Sequence, residues 1–290
     1  MSESTAGARI VDRGYQHYAG TRLGLAHATR VMIWAAIRRA LGIRRPFRNK
    51  ILPWLLILVA FAPALFVLAF RVLIPGAARA PLPSYASIYN NLTAVYFLFA
   101  GLAAPDLLCA DRRERVLSLY FAAPITRLRY VAAQFSGLVC LLLLMTLAPM
   151  LLLFAGNALL APSAWSYVQH NAADLWHIVL SGGLTAFYYS AIAVAVASFT
   201  DRRAYATGTY VGLLLVSSVV AAILRRIVHF SGSDWLALID LVTLPLRMIR
   251  PLFGESIFPA LNPWTCAGVM LGLVVLSLAL LAWRYLRIRD

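Results

Sequence analysis

Apolar residues fall into six long runs, roughly Ile51–Ile74, Ser87–Leu108, Val131–Leu160, Leu175–Phe199, Tyr205–Leu224 and Pro263–Trp283. Each reaches the roughly 20 residues with which an α-helix crosses a ~30 Å hydrocarbon layer. Within them the apolar positions are continuous, without the alternation of a barrel strand. Lipid offers no partner to an open N–H or C=O, so continuous runs of this length read as helices. The pattern predicts an all-α polytopic membrane protein with six transmembrane helices.

The runs are unequal. The stretch Leu138–Leu153 has no charge and about ten strongly apolar side chains, which favour insertion by about 3–6 kcal/mol. The second and fifth runs hold more Gly, Ser, Thr, Asn and Tyr. Their composition predicts helices that face protein or a water-filled path more than lipid. Residues 225–262 begin polar. The later pieces Trp235–Leu246 and Ile249–Phe258 are apolar but interrupted by Pro245, Pro251 and Pro259. Short, broken pieces predict a re-entrant outer segment before the last span. At the other end of the chain, residues 1–50 form an N-terminal segment in which 27–45 reads as an interfacial helix. Ile33, Ile37, Ala40 and Leu41 share one face there, with Arg38, Arg39 and Arg45 outside it.

Composition supports the membrane reading. Of 290 residues, 62% are hydrophobic and 13% charged. A soluble domain of this length lacks the interior to hide that much apolar surface. The net charge of +15 comes from basic residues that flank the apolar runs, not from a patch beside stacking aromatics. It therefore points to anionic lipid headgroups and away from nucleic acid. Segments 1–50, 109–129, 201–203 and 284–290 hold twenty of the 26 Lys and Arg. This bias predicts both termini on the cytoplasmic side of the membrane. The first fifty residues show no apolar run of signal-peptide quality. Cys109, Cys140 and Cys266 are far apart, so neither a disulfide framework nor a metal site is expected.

The loop 109–129, between the second and third spans, carries the most information. Asp111 and Glu114 have the spacing of an acidic N-cap followed by an N3 Glu. Pro124 would end such a helix by Ala123. A short charged helix with Asp111, Arg112, Arg113, Glu114 and Arg115, and an apolar stripe of Val116, Leu119 and Tyr120, would suit the docking of a cytoplasmic partner. A solvated positive-inside loop accounts for the same residues.

A Pro105-Asp106-Leu107 at the end of a span, then Asp111-Arg112-Arg113, then Ala123-Pro124-Ile125-Thr126-Arg127-Leu128-Arg129-Tyr130 leading into the next span, resembles the permease subunits of ABC-2-type (type V) ABC exporters. The stretch Tyr15-Gln16-His17-Tyr18-Ala19-Gly20-Thr21-Arg22 is similar to the start of bacterial members, which implies a prokaryotic plasma (inner) membrane. The resemblance covers the whole architecture. It implies an ABC transporter permease that pairs with a second permease copy or a related permease. Two ABC ATPase subunits would bind at the Asp111–Pro124 loop, the short coupling helix. ATP and Mg would belong to those partners, with no cofactor bound by this chain. Its only lysine is Lys50, in Asn49-Lys50-Ile51, and no P-loop can be built on it. The family places the second and fifth spans at the dimer centre. Tyr96, Phe97, Phe99 and Tyr210 are thus candidate cargo-pathway residues, together with Asn90 and Asn91 at the outer end of the second span. Packing or lipid contact explains the aromatics equally well.

Other polar residues open other functions. Asp106, near the inner end of its span, is expected to pair with arginines, and Arg71 to snorkel outward. A membrane-embedded enzyme would need converging catalytic groups, of which Asp174 with His177 is the best fragment. An ion-coupled secondary transporter would need buried carboxylates and repeated halves. Neither pattern is present. The reading is an exporter permease, without catalytic residues of its own, for a hydrophobic or amphiphilic cargo moved by alternating access.

Overall fold

A computed structural model describes residues 24–43, 48–74, 83–114, 125–227, 233–256 and 261–287. The described residues form helices α1 (Leu25–Ala40), α2 (Arg48–Leu73), α3 (Tyr85–Arg113), α4 (Arg127–Leu160), α5 (Ala164–His170), α6 (Ala172–Ala197), α7 (Arg203–Ile227), a 3-10 helix (Ser233–Ile239), α8 (Leu244–Leu252) and α9 (Pro263–Arg287). Six of them, α2, α3, α4, α6, α7 and α9, are long and apolar enough to cross a membrane. The protein is an all-α polytopic membrane protein, as the apolar runs predict.

Local chemistry sets several helix starts. The Ser84 hydroxyl accepts from the Ala86 N–H at the start of α3, and the Thr126 hydroxyl accepts from Arg129 at the start of α4. Both satisfy a backbone donor that the first turn leaves open. At 1.5 Å per residue, the 34 residues of α4 reach about 51 Å, well beyond a hydrocarbon layer.

The layers follow from burial. In α3, 83% of the most apolar window is buried, against 17% in α2 and in α7. Helix α3 is the centre, flanked by α4 and α6, while α2, α7 and α9 lie outside. Tyr89, Tyr96, Phe97 and Phe99 of α3 pack with Tyr188 and Tyr189 of α6 in this core. The polar character of the second span thus marks a protein-facing helix. The fifth span is less buried within this chain. Within this chain its apolar residues Val216, Val219 and Ile223 are exposed. Its polar groups turn inward instead: the Thr207 hydroxyl donates to the Gly101 carbonyl at 2.9 Å, and Ser217 and Ser218 bond the segment that follows α7.

Helix α1 lies against α4 and α3. Ala36 and Ala40 are its buried residues. The approach is close because Gly137 of α4 has no side chain: a Cβ there would sit 2.7 Å from the Ala36 Cβ and 3.4 Å from the Ile33 carbonyl.

The segment 233–252 enters the bundle. The Ser217 hydroxyl accepts from the Leu241 N–H at 3.1 Å, and the Ser218 hydroxyl donates to Asp240 at 2.5 Å. Ser218 lies nine residues before the end of α7, about 14 Å inside. From α6, Tyr188 donates to the Leu241 carbonyl at 3.0 Å and Tyr189 to the Val242 carbonyl at 2.7 Å. Helix α8 has only nine residues, about 14 Å, and cannot cross. Around residues 240–243, the hydroxyls of Ser217, Tyr188 and Tyr189 and the Asp240 carboxylate satisfy backbone groups that no helix satisfies.

Candidate functional site: the clasp at the basic end of the bundle

The starts of α4 and α7, the ends of α3 and α9, and the loop 198–202 meet at one end of the bundle, where most of the arginines lie. Helix α3 does not stop at Leu108. It runs unbroken through Asp111 to Arg113, with Glu114 as its C-cap. The expected N-cap at Asp111 is therefore corrected: Asp111 is in the last turn of a long helix, not ahead of a separate one. The reason is tertiary. Its carboxylate is taken by side chains from other helices instead of by the backbone N–H groups of a following turn.

Asp111 is buried, 2% exposed. Arg39 of α1 donates to its Oδ1 at 2.6 Å, and Tyr130 of α4 donates to its Oδ2 at 2.6 Å. Arg39 thus turns inward, where the helical face predicted it outside. Arg112, the next residue, points to another neighbour. It donates to the Ser198 carbonyl, pairs with Asp201 at 3.3 Å and lies 5.9 Å from the Tyr285 ring of α9. The Tyr130 and Tyr285 rings are 6.0 Å apart and close the gap between the two halves.

One turn and a half earlier, Asp106 is paired with Arg203, the first residue of α7, at 2.5 Å. The expected carboxylate–arginine pairing of Asp106 is present. Between the two acids, Cys109 lies within 3.2 Å of the Thr200 carbonyl. The final two turns of α3 are therefore tied to α1, α4, α7, α9 and the α6–α7 loop. A buried acid paired with a cation from another helix resists separation, because removing one partner strands the other's charge.

Arg113 and Glu114 behave differently. Both are exposed, and no ion pair joins them to another described residue. With Asp201 and Arg203 they rim a cavity of about 320 Å³ that reaches Asp106 and Cys109. Of the residues expected at a partner contact, the structure brings Asp111 and Arg112 into the clasp and leaves Arg113 and Glu114 outside it. Arg115, Leu119 and Tyr120, and with them the expected short helix, lie outside the described residues.

The expected pathway residues also divide. Asn90 and Asn91 are exposed on α3. Tyr96, Phe97, Phe99 and Tyr210 are at most 5% exposed and pack inside the chain. Tyr210 fits because Gly101 has no side chain, a Cβ there falling 2.6 Å from its ring. Arg71 donates to Asn157 of α4 at 3.2 Å, a contact that the sequence did not indicate. Asp174 and His177 make no hydrogen bond to each other, and the His177 ring packs 5.7 Å from Phe253. No cluster of metal-binding side chains occurs among the described residues.

Sequence reasoning missed Arg39 and Tyr130. Their helical positions gave no sign of a shared partner on α3.

A search among curated proteins gave no match. The model of one family does match: it covers residues 53–288, from the second turn of α2 to just beyond α9, and describes an ABC-2 family transporter protein. This match over most of the chain, on a protein with six helices long and apolar enough to cross a membrane, places the protein in the ABC-2 transporter family.

Proposed function

We propose that this membrane permease of an ABC transporter is an exporter subunit driven through the last turns of α3 by separate ATPase subunits, which would hold ATP and Mg. The supporting observation is the clasp. Force applied at Arg113 and Glu114 acts on a helix end that Asp111 and Arg112 bind to α1, α4 and the α6–α7 loop. Helix α3 is also the most buried span, so its displacement must move the core. Asp111 and Arg112 hold the lever together, while Arg113 and Glu114, with Arg115, Leu119 and Tyr120 beyond them, form the contact.

Two ATPase subunits and a second copy of the permease, or a related one, complete the transporter in this reading. The exposed apolar residues of α7 and the Asn90–Asn91 side of α3 form the surface turned to that copy. Alternating access then carries a hydrophobic or amphiphilic cargo between the copies. Asn90 and Asn91 contact the path, and the buried aromatics shape the helix behind it. The arginine-rich end faces the cytoplasm of a prokaryotic cell.

Purification of the chain from its native membrane tests the assembly. A co-purifying soluble subunit with a phosphate-binding Gly-rich loop is the expected result. A stable, active preparation without one would end the proposal. Labelling of single cysteines placed at Arg113 and at Arg287 tests the orientation. Both should react only with a reagent admitted to the cytoplasm.

A further inference from the structure

Six of the 26 basic residues lie outside the segments that follow the charge bias, and three of them, Arg225, Arg247 and Arg250, meet in one cavity of about 210 Å³. The cavity is at the end of the bundle away from the clasp, between the start of α3, the end of α7 and α8. Asn90 opens onto it from α3, and Asp240 and Thr243 form its floor.

The charges in this cavity are not balanced. Asp240 is the only acid that lines it, and the turn uses its carboxylate. Asp240 Oδ1 accepts from the Ser218 hydroxyl at 2.5 Å and from the N–H groups of Val242 and Thr243 at 3.2 and 3.3 Å. Its Oδ2 accepts from the Thr243 hydroxyl at 2.7 Å. No ion pair joins Asp240 to any of the three arginines. Arg250 reaches Glu255 only at 4.0 Å. Arg247 is 7% exposed, and its buried Nε has no hydrogen-bond partner. A guanidinium buried with donors unused, beside two like charges, is costly unless an anion completes it.

We propose that this cavity is a binding site for a phosphate group. Three planar guanidinium forks and the Asn90 amide offer more donors than the two oxygens of a carboxylate can accept. A phosphate, with up to four oxygens and more than one negative charge, matches the number and sign. The group can be the phosphomonoester headgroup of a phosphatidic acid or be free phosphate. The chemistry is shared, and the mouth of the cavity is open to both because Arg225 and Asn90 are exposed. The site is separate from the clasp, and it shares Asn90 with the surface proposed above for the cargo path.

Binding of two probes to the purified full chain in phosphate-free maltoside micelles tests this: inorganic phosphate and dihexanoyl phosphatidic acid. At least one should bind, and added salt should weaken it. Arg247→Gln and Arg225→Gln should each lower affinity about tenfold or more. Arg226→Gln removes a neighbouring charge outside the cavity and should change affinity less than twofold. Tighter binding of the lipid identifies a headgroup site, and equal or tighter binding of inorganic phosphate identifies free phosphate. Arg225 is exposed at the end of α7, so its variant remains informative if Arg247→Gln does not fold. No binding of either probe to the wild-type chain, or an equal loss in Arg226→Gln, would overturn the assignment.

Discussion

Arg39 and Asp111 are 72 residues apart in sequence and 2.6 Å apart in space, and their contact fixes the amphipathic α1 to the end of the most buried span. The Asp111 side chain is 3% exposed and that of Arg39 25%. Removal of Arg39 leaves a buried carboxylate with Tyr130 as its remaining donor among these contacts. Arg39→Gln should destabilise the fold by about 3–5 kcal/mol. Asp111→Asn should cost less, because a neutral amide can still accept from Tyr130. Thermal unfolding in detergent checks the order. Equal stability of both variants and wild type would show that the pair carries no weight.

Gly137 lets α1 lie on α4. Gly137→Val places methyl groups where Ala36 and the Ile33 backbone already are. Backbone cannot yield as a flexible side chain does, so α1 should lift away. Protease cleavage within residues 25–40 should become faster while the spans remain intact.

Tyr189 is fully inside the core and donates to the Val242 carbonyl at 2.7 Å. Tyr189→Phe leaves that carbonyl unsatisfied, at a cost of about 1–3 kcal/mol. The loss is local to the entering segment. Amide exchange in residues 241–252 should accelerate before that of α3 or α4.

Gly101 leaves room for the Tyr210 ring, with a Cβ reaching within 2.6 Å of it. Gly101→Leu should displace Tyr210 and part α3 from α7. The Thr207–Gly101 hydrogen bond would be lost with it. A disulfide between cysteines introduced at Leu102 and Val211 reports this: it should form less readily in the Gly101→Leu background.

The spans were legible because continuous apolar runs of this length have few alternatives. Asp106 could be read as an arginine's partner because it sits at a span end where arginines gather. Asp111 could not. Its spacing to Glu114 fits a local cap, and only the tertiary partners Arg39 and Tyr130 decide that the helix continues. The fifth span shows the same limit. Its serines and threonine mark it as protein-facing, yet they occupy one narrow side, and the valines opposite are exposed. Composition averages over a helix, whereas burial depends on its faces. Arg247 was visible only as an exception to the charge bias, with no sequence sign that two other exceptions would meet it. The aromatic residues of α3 were ambiguous in sequence, and within this chain they are buried.

Coupling at the end of α3 is the central claim, and reconstituted transporter with its ATPase subunits tests it most directly. The measurement is ATP hydrolysis with and without the permease variant Arg113→Gln/Glu114→Gln, at wild-type levels of assembly. The account predicts that permease-dependent change in hydrolysis falls by about tenfold or more while the complex stays intact. Wild-type regulation of hydrolysis by that double variant would contradict it.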